Sequence, residues 1–210
     1  MKLKLSLIIP TYNEEENIKN IFHNICLLKA KEVLIVDGKS EDKTRHLLKK
    51  IKLITTKASR GLQLKTGAEN STEKWLFFLH ADTKLNEKNV LQIKEFIKKN
   101  KNKVGYFHLK FNTPCIFAKI ISKWANFRTK FFYLPFGDQC LLVKREYYYS
   151  IGGFSEISKM EDMDLILRVS KKNKFFFDSY IETSFEKYRK NGIIKQSFKN
   201  ILNQIIFFLR

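Results

Sequence analysis

Two carboxylates stand at the ends of apolar runs, where a strand would give way to a loop. Asp37 closes Glu32–Asp37 (EVLIVD), and Asp82 follows Trp75–His80 (WLFFLH). A carboxylate in that position accepts hydrogen bonds from a base N–H or a ribose hydroxyl. It can also hold a divalent cation that bridges two phosphates. Glycine-rich phosphate loops are absent, since neither G-x-G-x-x-G nor G-x-x-x-x-G-K-[ST] occurs. That argues against a dinucleotide-dependent dehydrogenase and against a P-loop NTPase.

The elements that must position these groups follow from the pattern. Leu3–Ile9 is a short apolar run, long enough for a buried strand. Asn13 is expected to cap a helix, with Glu16 completing a capping box and Ile18, Ile21, Phe22 and Ile25 at helical spacing. Glu32–Asp37 is a second strand, and Ser40 is expected to cap the helix after it. Lys52–Thr56 reads as a third strand, Arg60–Asn70 as a helix, Trp75–His80 as a fourth strand and Asn86–Lys99 as a helix. Strands alternate with helices and are apolar throughout, which indicates a parallel sheet covered on both faces. In such sheets the ligand sits outside the carboxyl ends of the strands, here Pro10–Asn13, Asp37–Ser40 and His80–Thr83.

The second half is less regular. Strands are expected at Val104–Phe111 and Gln139–Val143, and as two short pieces at Phe175–Asp178 and Glu182–Phe185. Helices are expected at Ile116–Phe132, Arg145–Ile151, Glu161–Lys172 and Asn191–Leu209. Trp75, Trp124 and the phenylalanine-rich runs read as core. No repeat or linker divides the chain, so residues 1–186 are taken as one domain and 187–210 as a basic amphipathic helix appended to it.

Five segments, in order, resemble glycosyltransferase family 2. They are Ile9-Pro10-Thr11-Tyr12-Asn13-Glu14, Val36-Asp37-Gly38-Lys39-Ser40, Phe78-Leu79-His80-Ala81-Asp82-Thr83, Ile151-Gly152-Gly153-Phe154 and Met160-Glu161-Asp162-Met163-Asp164-Leu165. The resemblance is closer to a small bacterial subgroup marked by Arg60-Gly61 with Gln63, His80-Ala81-Asp82, Gly137-Asp138-Gln139 and Met160-Glu161-Asp162. Some members of that subgroup are linked to arsenosugar biosynthesis.

The resemblance implies an α/β fold of GT-A type, like other nucleotide-diphospho-sugar transferases, with a mostly parallel central sheet and helices on both faces. It also implies inverting transfer from a nucleotide-sugar, usually a UDP-sugar, to a hydroxyl acceptor. Pro10, Thr11 and Glu14 would line the nucleotide pocket, and Asp37 would bind the base with Gly38 and Ser40 beside it. Arg60, with Gln63, would sit near the base or diphosphate. Asp82 would hold the diphosphate and a divalent metal, Mn²⁺ or Mg²⁺, with His80 as a second ligand. Asp162, in the Glu161-Asp162 pair, would be the catalytic base, and Asp138 and Gln139 would touch the acceptor or the donor sugar. One departure stands out: the broad family usually has Asp where this chain has His80, and imidazole is a weaker partner for Mg²⁺ than a carboxylate.

Each residue has a plainer reading. Asp37 and Asp82 could cap turns, His80 could be an ordinary strand-end histidine, and Asp138 and Gln139 could shape a turn. Glu161, Asp162 and Asp164 could serve the dipole of a helix first turn. A catalytically degenerate relative acting as a nucleotide-binding scaffold is the alternative enzyme-fold reading; retention of both Asp82 and Asp162 argues against it.

Composition bounds the rest. The chain has 210 residues and a net charge of +19, with lysine making up 33 of its 40 basic residues. That charge reflects either attraction to polyanions or an AT-rich coding bias that also raises Asn, Ile and Phe. Nucleic-acid readers usually rely more on arginine; there is no recognised nucleic-acid module, and the strand ends are acidic, so no nucleic-acid partner is expected. Cys26, Cys115 and Cys140 match no zinc spacing or disulfide framework and read as reduced thiols of a cytoplasmic protein. Met1–Ile9 lacks the form of a signal peptide, and no run of about 18 apolar residues suggests a membrane span.

Lys187–Arg210 carries six basic residues and no acid, beside an apolar stripe of Ile194, Phe198, Ile201, Leu202, Ile205 and Phe208. Such a helix either lies on the inner face of an anionic membrane or packs on the domain or across a dimer. Arg189 or Lys190 could instead reach back to a donor diphosphate.

Overall fold

The computed structural model describes residues 2–99, 103–157 and 159–209. Eight strands form one sheet: β1 (Leu3–Thr11), β2 (Ala30–Asp37), β3 (Lys52–Thr55), β4 (Trp75–Phe78), β5 (Thr83–Lys84), β6 (Val104–Phe111), β7 (Leu141–Lys144) and β8 (Lys174–Thr183). Their order is β3-β2-β1-β4-β7-β6-β8-β5. The first half is parallel throughout, from β3 to β4. The second half is mixed: β7 runs antiparallel to both β4 and β6, β6 is parallel to β8, and β5 is antiparallel to β8. The parallel character is therefore concentrated in the half that carries the alternating strands and helices.

Both faces are covered, as unbroken apolar strands require. On one face Leu5, Leu7 and Ile9 of β1 pack with α1 (Ile18–Leu28) and α4 (Glu87–Lys99). On the other, Ile8 packs with Leu64 and Ala68 of α3 (Arg60–Glu69), Tyr148 of α6 (Arg145–Ser150) and Leu165 and Ile166 of α7 (Glu161–Arg168). A third, smaller core joins α5 (Ile116–Phe132) to the ends of β6 and β8.

Five local expectations are corrected. Asn13 does not cap a helix: its backbone is left-handed (φ 54°), and α1 starts at Ile18 after a short 3₁₀ turn. Ser40 does not cap one either, and α2 is only Thr44–Leu47. Both side chains instead join two loops. Asn13 N–H donates to Ser40 Oγ (2.9 Å), Glu41 N–H to Asn13 Oδ1 (2.9 Å) and Glu14 N–H to Thr44 Oγ1 (2.8 Å). Side chains that suit local caps equally suit a neighbouring loop's orphan N–H groups.

The two strand pieces expected near the C-terminus are one strand, β8. Its polar positions Asp178, Tyr180 and Glu182 alternate outward while Phe177, Ser179, Ile181 and Thr183 point in, the period of a strand with one wet face. The last helix is divided by Gly192 (φ 81°) into α8 (Glu186–Asn191) and α9 (Ile193–Phe208), with Arg210 outside the described residues. Finally, Trp75 is core, but Trp124 and most of the phenylalanines on α5 are not: Phe117, Trp124, Phe127, Phe131 and Phe132 are exposed.

Gln63 holds the strand ends in register. It is buried, and its Nε2 donates to both Thr11 O and Val36 O, each at 2.8 Å. Gln63→Leu removes both donors from buried carbonyls and is expected to cost about 2 kcal/mol. Urea unfolding at unchanged m-value measures it; a cost below about 0.5 kcal/mol would show that the carbonyls need no such tie.

Candidate functional site

The carboxyl ends of β1, β2 and β4 open on the same edge. Asp37 closes β2 and is fully buried. Its Oδ1 accepts the Ser40 N–H (2.8 Å), and its Oδ2 accepts the hydroxyls of Thr11 and Ser40. Both oxygens are thus engaged in building the loop. Arg45 Nε lies 3.8 Å from Oδ1. Gly38 belongs here because a Cβ would lie 3.0 Å from Ala58 Cα, where the chain after β3 crosses. Its N–H donates to Thr11 O at 2.8 Å. Pro10 and Thr11 are buried in the end of β1, and Gln63 faces their backbone rather than the opening.

Glu14 projects from the loop after β1 with its carboxylate held by Asn17 Nδ2 at 2.6 Å. Burial pushes it up to about 7; the Asn17 bond works against that, and the nearby charge of Asp82 adds to it. Asp82, after β4, is also raised by burial, against a hydrogen bond from the Thr183 side chain. His80 is pushed down to about 3, first by burial and then by the Arg60 charge, so its imidazole is neutral at ordinary pH.

The second half of the chain supplies the opposite wall. Asp162 lies in the first turn of α7, and its Oδ2 accepts the Gly137 N–H at 2.7 Å. A Cβ on Gly137 would lie 3.1 Å from His80 Nε2 and 3.2 Å from Asp162 Oδ2. The missing side chain is therefore what lets the histidine and the carboxylate converge. Arg60, at the start of α3, donates through Nε to the Glu161 carboxylate and places a terminal nitrogen 3.8 Å from Asp162 Oδ2. Glu161 itself is 1% exposed and does not face the opening. Burial raises its carboxyl, and Arg60 opposes the rise.

The Gly137-Asp138-Gln139 turn divides its labour. Gln139 is buried and fully used inside the protein: Oε1 accepts from Thr129 Oγ1 (2.7 Å) and Phe136 N–H (3.2 Å), and Nε2 donates to Phe107 O (2.9 Å). Asp138 is different. Its Oδ1 is buried with no hydrogen-bond partner among the described residues. Burial pushes the group up to about 6 against the pull of Arg128, with the charges of Asp162 and Asp82 adding to the rise.

Two residues of this wall were missed in the sequence. Arg128 of α5 is held by Leu134 O (3.0 Å) and lies 3.4 Å over the Phe136 ring, within electrostatic reach of Asp138 and Asp162. Lys187 of α8 is exposed overall but lies within electrostatic reach of Asp82, Asp138 and Arg60; partial desolvation of its ammonium and the Arg60 charge lower it. The acid-free C-terminal run is the signal for Lys187, but it points equally to its neighbours. The structure turns those neighbours away: Arg189 bonds Glu186 (2.8 Å) and Thr113 (3.1 Å), and Lys190 bonds Glu16 (3.1 Å).

The resulting site combines carboxylates that resist ionisation with two or three cations, an arrangement suited to a polyanionic ligand. Asp82 and the free Asp138 oxygen can take a cation whose remaining ligands come from that anion and water. Among the described residues, no group of three or more His, Cys, Asp or Glu side chains forms a closed metal site.

Known proteins agree with this architecture. The crystal structure of S. aureus TarS in complex with UDP-GlcNAc superimposes with a TM-score of 0.66 at 15% identity, over 87% of this chain and 58% of that one. The mannosyltransferase PcManGT from Pyrobaculum calidifontis, in complex with GDP-Man and Mn²⁺, gives 0.62 at 16% identity, over 87% and 57%. The chain thus spans about three fifths of the length of these structures. No curated protein shows significant sequence similarity to it. Residues 6–140 match the profile of Glycosyl transferase family 2, a stretch that holds Asp37, Asp82 and Asp138 but stops short of Asp162. With that match over more than half its length and a GT-A fold around it, the chain belongs to glycosyl transferase family 2.

Proposed function

We propose that the protein is an inverting glycosyltransferase that moves a sugar from a nucleotide-sugar, a UDP-sugar in the first instance, to a hydroxyl acceptor. The observation that carries this reading is the convergence of Asp82, Asp138 and Asp162 with Arg60 and Lys187 at one strand edge. The subgroup marks support it as well, since each either lines that edge or braces it. Asp37, Ser40 and Gly38 shape the nucleoside end, and Asp82 with Lys187 faces the diphosphate. A divalent cation held by Asp82, with His80 or Asp138 alongside, would offset the charge developing on the leaving diphosphate.

The chain's own groups account for the remaining steps. Asp162 takes the proton of the acceptor hydroxyl as that oxygen attacks the anomeric carbon from the face opposite the diphosphate. The bond from carbon to the diphosphate oxygen breaks, and the electron pair leaves with the nucleoside diphosphate. Gly137 N–H and Arg60 fix the Asp162 carboxylate in place. Glu161 is a positioning residue that acts through Arg60.

Thermal shift against nucleotides and nucleotide-sugars, with and without Mn²⁺, tests the reading. Ligand at 100-fold its dissociation constant stabilises by about 2.7 kcal/mol. A shift with a UDP-sugar that needs Mn²⁺ and disappears in Asp82→Ala is expected; absence of a shift with any nucleotide overturns the proposal. Asp162→Asn should lower turnover roughly 100- to 10,000-fold while the donor shift persists. Glu161→Leu should instead lower stability itself, by about 1–3 kcal/mol, because it strips Arg60 of its partner.

The cations are separable by titration with UDP. Lys187→Ala is expected to weaken binding about tenfold, the loss of one charge-assisted contact. Arg189→Ala and Lys190→Ala should stay within about twofold. Equal effects at all three positions would mean that only bulk charge matters.

A further inference from the structure

Helix α5 presents an apolar face that nothing covers among the described residues. Ile116, Phe117, Ile120, Trp124, Phe127 and Phe131 are all exposed, Trp124 to 56%. At the α-helical turn they fall within an arc of about 100°. Trp124, Phe127 and Phe131 stack along it, with centroid separations of 5.8 and 4.4 Å. Lys119, Lys123 and Lys130 line one edge of the same arc. From Asn112 to Gly137 the chain carries four basic residues and no acid.

Helix α9 repeats the design. Ile194, Phe198, Ile201, Ile205 and Phe208 are exposed on one side, Ile194 to 84%, and no acid follows Glu186. The start of α9 reaches the small core under α5, where Ala118 and Ala125 pack with Phe185 and Ile121, and Tyr188 of α8 and Ile193, the first residue of α9, lean on them. Two helices thus turn apolar faces outward, and neither carries an acid of its own. Among the described residues no helix is long and apolar enough to cross a membrane.

From the geometry we infer that α5, together with α9, is a docking face for an anionic lipid bilayer, into which the aromatic row of α5 inserts in the plane of the interface. Charge decides between occupants. A second copy of this chain would bring lysine rows against lysine rows, whereas an anionic leaflet attracts each lysine near its surface. The same two helices carry Arg128 and adjoin Lys187 of the site wall, so docking would set the site close to the leaflet.

The chain contains its own reporter. Of its two tryptophans, Trp75 is buried against Phe96 and Trp124 stands on the proposed face. The full chain is mixed with phosphatidylcholine vesicles with or without about one third phosphatidylglycerol, and its emission and sedimentation are followed. A blue shift, quenching by lipids brominated on their acyl chains, and at least about tenfold stronger partition to the anionic vesicles are expected. The double variant Ile120→Ser/Phe131→Ser should lose about a hundredfold in partition while its nucleotide-induced thermal shift is kept. Three outcomes overturn the proposal: no partition to anionic vesicles, a blue shift that grows with protein concentration in the absence of lipid (a second copy covers the face), or partition unchanged in the double variant.

Discussion

The Arg60 guanidinium bonds the buried Glu161 carboxylate and lies 3.8 Å from Asp162 Oδ2, joining helices α3 and α7 across 101 residues of chain. Everything the site can do depends on that bridge. Asp37 and Asp82 come from the parallel half of the sheet, at the end of β2 and in the loop after β4, whereas Asp162 sits on α7 in the second half of the chain. A helix start alone would leave Asp162 free to choose among rotamers facing solvent. With Arg60 on one side and the Gly137 N–H on the other, the carboxylate is fixed toward His80 and the strand edge. A removed partner here costs twice: once in the unpaired group, and once in the position of the Asp162 carboxylate.

The same neighbourhood explains why so many acids tolerate one another. Glu14, Asp82 and Asp138 are each raised from the ordinary value of their type, burial being the largest cause in all three. Left to themselves, such groups would hold protons or repel. At Asp82 and Asp138, Arg60, Arg128 and Lys187 oppose that from different elements, and one Asp138 oxygen is left without a hydrogen-bond partner among the described residues. A site with surplus acid and surplus base at once is unfavourable when empty and favourable around a ligand that carries both signs, as a metal-bound diphosphate does.

How far the sequence revealed this differs by element. The strands were legible because runs such as LIIP and WLFF admit no one-sided burial, and their ends pointed to one candidate edge before any side-chain geometry was known. The loops were not. Asn13 and Ser40 satisfy every local rule for helix caps, yet each bonds the other's loop, a pairing across 27 residues that no local rule encodes. Gln63, Gln139 and Glu161 were expected to touch a ligand, yet each side chain is engaged by protein partners. Lys187 was obscured by its own surroundings, since one lysine in an acid-free run looks like the next until α8 fixes which one faces Asp82.

The aromatic residues of α5 show the deeper limit. An amphipathic pattern tells which side chains share a face, not what that face meets. In α4 the apolar side enters the core; in α5 the wider apolar arc includes a narrow buried strip of Ala118, Ala125 and Thr129 and a row of large rings left outside. Small residues inward and large ones outward is the reverse of what core packing favours, because burial of a ring stabilises far more than burial of a methyl group. A chain that places its largest side chains in water on one helix, and frames them with lysine, leaves that apolar area to be buried by something other than itself.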